Sequence, residues 1–233
     1  MRNKPLTTSE QLPLNFDPGA RRPLPDRLRP MLPVDGPQPF DDQDWFFEPW
    51  WPGASALAWV EDFHARLQLE HLADPSAAFP ELATMGADFT NDQLIVEGSV
   101  LVLDAEGRPD TELLRRRLAE PDFREGTPAF VASDLLYDLG EPLIGLPFEE
   151  RRSRLAGVLS DTDRSVVSRG LRGEGLTFAE AIASMGLGEL SAKLLSGRYR
   201  PGARDESWLR LPVVEAPTVP TRPLLTLLQR LPL

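Results

Sequence analysis

The sequence predicts an α+β protein, and three observations carry that expectation. Apolar runs such as "ALAWVEDF" at 56–63 and "LIVEGSVLVLD" at 94–104 have the composition of buried strands. Segments such as "TELLRRRLAE" at 111–120 repeat their leucines at helical spacing. The two kinds of segment are interleaved along a chain of 233 residues, 41% hydrophobic and 26% charged, which is enough to bury a core.

The elements follow in order. Residues 1–40 form a proline-rich arm that includes "RRPLPDRLRPMLPVDGPQPF", expected to be extended over the domain or partly disordered. Strands dominate from Trp45 to Leu103, and "DAEG" turns the chain after the second apolar run. The helix that follows puts Leu113, Leu114 and Leu118 on one side. "AFVASDLLYDL" is a buried strand. "PFEERRSRLAGVL" is a helix with Pro147 near its start and Glu149 and Glu150 in the first turn, where the dipole favours acids. "TFAEAIASMGL" reads as a helix opened by a capping box, Thr177 with Glu180. The strand "ELSAKLLSG", the turn "RYRPGARDES" and the strand "SWLRLPV" come next. The tail, 213–233, begins as a proline linker and ends with Leu224, Leu225, Leu228 and Leu231 at helical spacing, a docking segment.

Composition excludes several functions. A net charge of −11 argues against a bulk electrostatic grip on nucleic acid. The absence of cysteine removes disulfides, thiolate metal sites and a cysteine nucleophile. There is no membrane-length apolar run and no signal-peptide core, so a soluble cytoplasmic protein is expected. Lysine occurs only at Lys4 and Lys193, so amine chemistry has two candidates, and arginine is no substitute because it stays protonated.

Five segments, in order, resemble the adenylation (nucleotidyltransferase) domain of ATP-dependent DNA ligases of the bacterial end-joining type. They are the lead-in "PLPDRLRPMLPVDGPQPFDDQDWFFEP", "AAFPELA", "VEGSVLVLDAEGRPDTELLRRRL", "FVASDLLYDLGEPLIGLPFEERRSRLAGVL" and "AKLLSGRYRPGARDESWLRL". The resemblance covers Leu24 to Leu211. It implies two packed antiparallel sheets with flanking helices, an ATP-grasp-like fold with the nucleotide in the groove between the sheets. The ligase-like unit is then 41–212, between the arm and the tail. The segment after residue 212 is too short for the OB-fold domain that follows in family ligases.

The resemblance also assigns positions to the chemistry, and most are altered. The family nucleophile lies in "FEPKWDG"; here "FEPWWPG" puts Trp50 at the lysine, Pro52 at the aspartate and Ser55 where an arginine is expected. Indole nitrogen offers no lone pair for attack on phosphorus. Glu70 falls where an arginine meets ribose or phosphate, a charge reversal. Ser99 and Gly188 replace carboxylates on the metal side, and Glu189 is one residue off, which strand alternation should turn away. Ser133 replaces the aromatic that stacks on adenine, and of two phosphate-binding lysines at the end only Arg210 remains as a cation, followed by Pro212. Glu48, Trp50, Ser133, Lys193 and Arg210 therefore outline an old nucleotide groove, expected to be filled by the indoles of Trp50 and Trp51.

The chemistry is erased while scaffold residues such as Gly53, Asp134, Tyr137, Arg151, Tyr199 and Trp208 fit the family pattern. A pseudoenzyme is expected: a catalytically inactive, ligase-like accessory or scaffold in DNA repair, with no cofactor and no retained ATP binding. Its expected partner is an unidentified protein, with DNA ends second. The alternatives are a residual nucleotide or small-ligand sensor and an active nucleotidyltransferase with relocated residues. Lys193 is read as a strand lysine, exposed or ion-paired. His64 and His71 lack an evident third ligand, so no metal site is expected. "ELLRRRL" and "EERRSRL" are arginine-rich helices whose charge is compensated by nearby acids.

Overall fold

A computed structural model describes residues 22–70, 72–120, 122–213 and 223–229. In chain order the elements begin with β1 (Leu32–Asp35), β2 (Asp41–Pro49), β3 (Ala54–Glu61), β4 (His64–Leu69) and a short helix α1 (Pro75–Ala78). A 3-10 segment over Pro80–Asp88 leads to β5 (Leu94–Leu103), α2 (Thr111–Ala119), β6 (Thr127–Asp138) and β7 (Glu141–Pro142). The second half holds α3 (Phe148–Val158), β8 (Ser165–Val167), β9 (Leu171–Glu174), α4 (Gly175–Ala183), β10 (Glu189–Leu194), β11 (Arg204–Pro212) and α5 (Leu224–Gln229).

The strands build two sheets, one ordered β1-β11-β10-β2-β9 and the other β4-β3-β5-β6-β7 with β8 also on β6. Most pairs are antiparallel, but β1 runs parallel to β11 and β8 parallel to β6, so both sheets are mixed. Alternation along β5 sorts its side chains between two environments. Val96, Val100 and Val102 enter a core shared with Phe79, Leu82, Met85 and Leu155. Glu97 and Ser99 take the opposite face, toward the first sheet, and line a cavity there. In β10, Leu190 and Ala192 pack with Phe47 and with Phe178 and Ile182 of α4, leaving Ser191 and Lys193 for the cavity side.

Two features re-aim residues toward the space between the sheets. Glu97 pairs with Asp134, while Gly98 pairs with Ala132, so Ser133 is an extra residue bulged out of β6. At Gly53 an added Cβ would stand 2.5 Å from the Val100 carbonyl oxygen, so only glycine lets the chain leave β2 and enter β3 this close to β5.

Three expectations change. The arm supplies structure of its own: β1 joins the first sheet, Leu24 and Met31 are buried, and Pro25 O accepts from Trp59 Nε1 at 2.8 Å. The helix expected from Thr177 begins at Gly175, and no side chain of its own cap position bonds to it. Asp41, far away in sequence, does that work by accepting from the Leu176 amide at 2.9 Å. The last strand starts at Arg204, taking in the end of the expected turn. The tail does form a helix, α5, with Leu224 and Leu228 buried in the α4 core; Leu231 lies outside the described residues.

Candidate functional site

A cavity of about 320 Å³ opens between the two sheets. From the first sheet, β2 contributes Glu48, β10 Ser191 and Lys193, and β11 Trp208 and Arg210. The second sheet contributes Ser55 and Leu57 from β3, Glu97 and Ser99 from β5, and Val131 and Ser133 from β6. Ser55 and Ser99 stand opposite one another across β3 and β5. Pro30, Met31 and Leu32 of the arm form part of the wall.

The floor is charged and buried. Lys193 Nζ lies 3.0 Å from Glu48 Oε1, and Arg152 Nη1 approaches Glu48 Oε2 at 3.7 Å from behind. Lys193 also sits 5.0 Å from the Trp208 ring and 5.1 Å from the Phe148 ring. Beside it, Glu97 Oε1 accepts from the Tyr199 hydroxyl at 2.8 Å. Burial pushes the Glu97 carboxyl up to about 7, and Asp134 adds to this; Lys193, the Tyr199 hydrogen bond and Arg151 pull the other way. Arg151 is spent on Asp134, with Nε to Oδ1 at 2.8 Å and Nη2 to Oδ2 at 2.7 Å.

The indoles line this space rather than filling it. Trp51 is buried and donates from Nε1 to Ser168 Oγ at 3.0 Å, which holds it against the wall. Trp50 is half-buried at the rim, 6.1 Å from the Trp208 ring, with the Arg210 guanidinium 4.9 Å above its own ring. Trp208 is fixed in turn by its Nε1 donating to Ser191 Oγ at 2.8 Å.

Of the residues singled out by sequence, Glu48, Trp50, Ser55, Ser99, Ser133, Lys193 and Arg210 meet at the cavity, and Glu70 lies at its exposed edge. Pro52 and Gly188 do not; they line an adjoining depression shared with Trp50 and Arg210. Glu189 is not turned away as alternation from Gly188 suggested. Gly188 precedes β10, so Glu189 opens the strand on the side of Ser191 and Lys193, where its Oε2 takes the Arg210 Nη2 donor at 2.5 Å. Sequence reading missed Glu97 and Gln68. An acid in the middle of "LIVEGSVLVL" was the available signal, because a charge in a buried strand needs a reason.

The arginine-rich helices bury Arg117, Arg151 and Arg152 and leave Arg115 and Arg154 exposed. Arg117 is buried and donates to the carbonyls of Ala78, Arg124, Glu125 and Gly126 as well as to Glu81. Arg115 pairs with Glu112, and Arg152 donates to Ser168 O at 2.6 Å. His64 is exposed with Nδ1 2.9 Å from Asp62 O, while His71 lies outside the described residues. Among the described residues no helix is long and apolar enough to cross a membrane.

No family model matches the chain. It is 29% identical over 186 residues to the multifunctional non-homologous end joining DNA repair protein LigD of Mycobacterium tuberculosis, covering 79% of this chain and 24% of that protein. The mycobacterial DNA ligase D structure complexed with ATP and MES superposes with a TM-score of 0.68 at 28% identity, over 79% of this chain and 60% of that one. The chain is homologous to the adenylation domain of LigD-type ATP-dependent DNA ligases. Its two sheets and outer helices are the ligase nucleotidyltransferase fold. A further ligase-domain homologue, the SPbeta prophage-derived DNA ligase-like protein LigB of Bacillus subtilis, is 25% identical over 184 residues, 79% of this chain and 67% of that protein. The chain spans about a quarter of the length of the LigD relatives.

Proposed function

We propose that this chain is a catalytically inactive relative of the ligase adenylation domain, retained as a non-enzymatic accessory or scaffold in DNA repair. On this reading 41–212 is the ligase-like unit, with 1–40 as its arm and 213–233 as its tail. The observation that carries it is Trp50. The resemblance puts this indole where the family lysine attacks the α-phosphate of ATP, and an indole cannot make that attack.

The surroundings support the same reading. The one lysine at the cavity is held by Glu48 at 3.0 Å. Arg210 is held by Glu189, and Arg204 donates to Pro33 O. Ser99 and Gly188 stand where the resemblance expects metal-side carboxylates. Each lost charge-assisted contact removes about 1.5–3 kcal/mol, so losses at several positions together abolish useful ATP affinity. The scaffold bonds remain, including the buried Arg151–Asp134 pair. The partners proposed are a repair protein or DNA ends, the latter by relation to end-joining ligases.

Incubation with α-labelled ATP and Mg²⁺ is the direct test. No label should stay on the protein; a labelled band that disappears in Lys193→Ala overturns the loss of catalysis. The accessory role is tested separately, by titration with blunt and overhanging DNA duplexes and by co-precipitation with purified end-joining proteins. Failure of both would remove it.

A further inference from the structure

We infer that the cavity between the sheets binds a small planar organic cation, one that presents amidinium- or guanidinium-type N–H donors to Glu97 and lays a flat apolar body beside the indoles. This goes beyond the loss of adenylation and does not depend on it.

The atoms without partners specify the ligand. Among the described residues, two buried acceptor oxygens of cavity-lining side chains have no hydrogen-bond donor: Glu97 Oε2 and Gln68 Oε1. Glu97 is itself only 5% exposed. The Gln68 orientation is fixed, because its Nε2 donates to Leu28 O at 2.6 Å, and its oxygen is left without a donor. Against these two acceptors stands one unpartnered donor of the lining, Arg210 Nε. Buried polar atoms in native proteins are nearly always satisfied, so a cluster short of donors points to a donor-rich occupant.

Charge selects among donor-rich molecules. The interior cation Lys193 is already paired with Glu48, and Arg210 with Glu189, so neither offers an unpaired charge to an anion. Glu97 has no arginine or lysine within ion-pair distance among the described residues, and its second oxygen has no hydrogen-bond partner. A planar cation satisfies that oxygen and matches a carboxylate in geometry. Trp51, Trp208 and Leu57 provide the flat and apolar wall. The volume, about 320 Å³, is at the lower end for small-molecule sites and suits a ligand of on the order of ten heavy atoms.

Benzamidinium is the probe, with neutral benzamide and anionic benzoate as shape-matched controls, read by calorimetry and thermal shift on the full chain. Benzamidinium should bind and raise the melting temperature, and the two controls should not. Glu97→Gln should weaken benzamidinium binding at least tenfold. Affinity should also rise about tenfold from pH 6 to pH 8, since the carboxyl that titrates near 7 must ionise to hold the cation. The groups facing Glu97 are Lys193, Asp134, Tyr199 and Arg151, with Glu48 across the floor. If Glu97→Gln does not fold, Ser99→Leu fills the cavity from a half-exposed position on the same strand face and must abolish binding. Absence of benzamidinium binding, benzoate binding as well as benzamidinium, or undiminished binding in either variant overturns the inference. ATP labelling of the protein would instead count against the inactive-ligase reading alone.

Discussion

The Tyr199 hydroxyl joins the cavity floor to the N-terminal arm: it donates to Glu97 Oε1 and accepts from the Met31 amide, both at 2.8 Å. One side chain thus satisfies a buried carboxylate of the second sheet and a backbone donor just before β1. Tyr199→Phe leaves both without a partner at nearly unchanged volume. Leaving buried polar groups unmatched costs about 1–3 kcal/mol. The urea midpoint should fall accordingly, and a variant as stable as the parent would show that the link contributes nothing.

Glu97 makes stability depend on pH in an unusual direction. Its carboxyl is raised from 4.5 to about 7 in the folded protein, first by burial. The folded state therefore holds a proton that the unfolded state has released between those values, so this group's contribution declines as pH rises from about 4.5 to about 7. Glu97→Gln should remove that decline, worth up to about 3 kcal/mol by pH 8. Asp88 acts in the opposite sense. Burial raises it, but Arg164, Ser165 and Thr162 together outweigh this and hold it low, so its contribution is lost as pH falls through its depressed value. Denaturant melts of Glu97→Gln and the parent from pH 4.5 to pH 8 separate the two, and parallel curves would contradict the Glu97 assignment.

The order of elements was legible in the sequence because it follows from local pattern, and Glu48, Trp50, Ser133, Lys193 and Arg210 were brought to the cavity by the family resemblance. The valines of β5, the leucines of α2 and the motif spacing around Trp50 each need only neighbouring residues to be read. What escaped depends on contacts remote along the chain. Asp41 caps α4 across 135 positions, so the nearer Thr177 looked like the cap. Trp51 is pinned by Ser168, 117 residues away, which is why it lines the wall instead of plugging the cavity. Glu189 shares the parity of Ser191 and Lys193, so alternation counted back from Lys193 keeps it on their side; counting from Gly188, which precedes β10, misplaces it.

The Arg151–Asp134 pair should be the most sensitive charged contact in the fold. Both side chains are buried, at 3% and 2% exposure, and Arg151 Nη1 also holds the Leu146 and Gly197 carbonyls. Removing one member strands the other charge, which typically costs 3–5 kcal/mol. Arg151→Met and Asp134→Ala should each lower the thermal midpoint by roughly 6–20 °C at 2–4 °C per kcal/mol. Arg115→Ala at the exposed pair with Glu112 should change it by no more than about 2–4 °C. Comparable losses in the two sets would refute the ranking.

Restoring an amine at the rim should not restore adenylation. Trp50→Lys removes the indole that lies near Trp208 and meets Arg210, and it supplies an amine where the proposed reading places the lost nucleophile. Attack on phosphorus also needs stabilisation of the charge that develops on the phosphate, and losing one such preorganised donor alone costs about 10²–10³ in rate. On the proposed reading Ser99 stands where a metal-side carboxylate is expected, and Arg210 stays bound to Glu189. With α-labelled ATP the variant should show no labelled protein; a stable adduct would mean that only the nucleophile had been lost.

Helix α5 should depend wholly on its two anchors. A six-residue helix is not stable by itself in water, because so few hydrogen bonds cannot offset nucleation. Leu224 and Leu228 are 1% and 2% exposed in the core around Phe178 and Ile182, and the Leu224 amide donates to Gly107 O at 2.8 Å. Each Leu→Ala change at a site buried this well removes about 2–5 kcal/mol from the packed state. For a terminal helix that loss is limited to the energy of detachment, so it appears as local opening before it appears as global unfolding. The double substitution Leu224→Ala with Leu228→Ala should therefore raise amide exchange at residue 224 at least tenfold while the exchange of β5 amides stays close to the parent's. Equal acceleration in both would mean that α5 unfolds only with the whole domain.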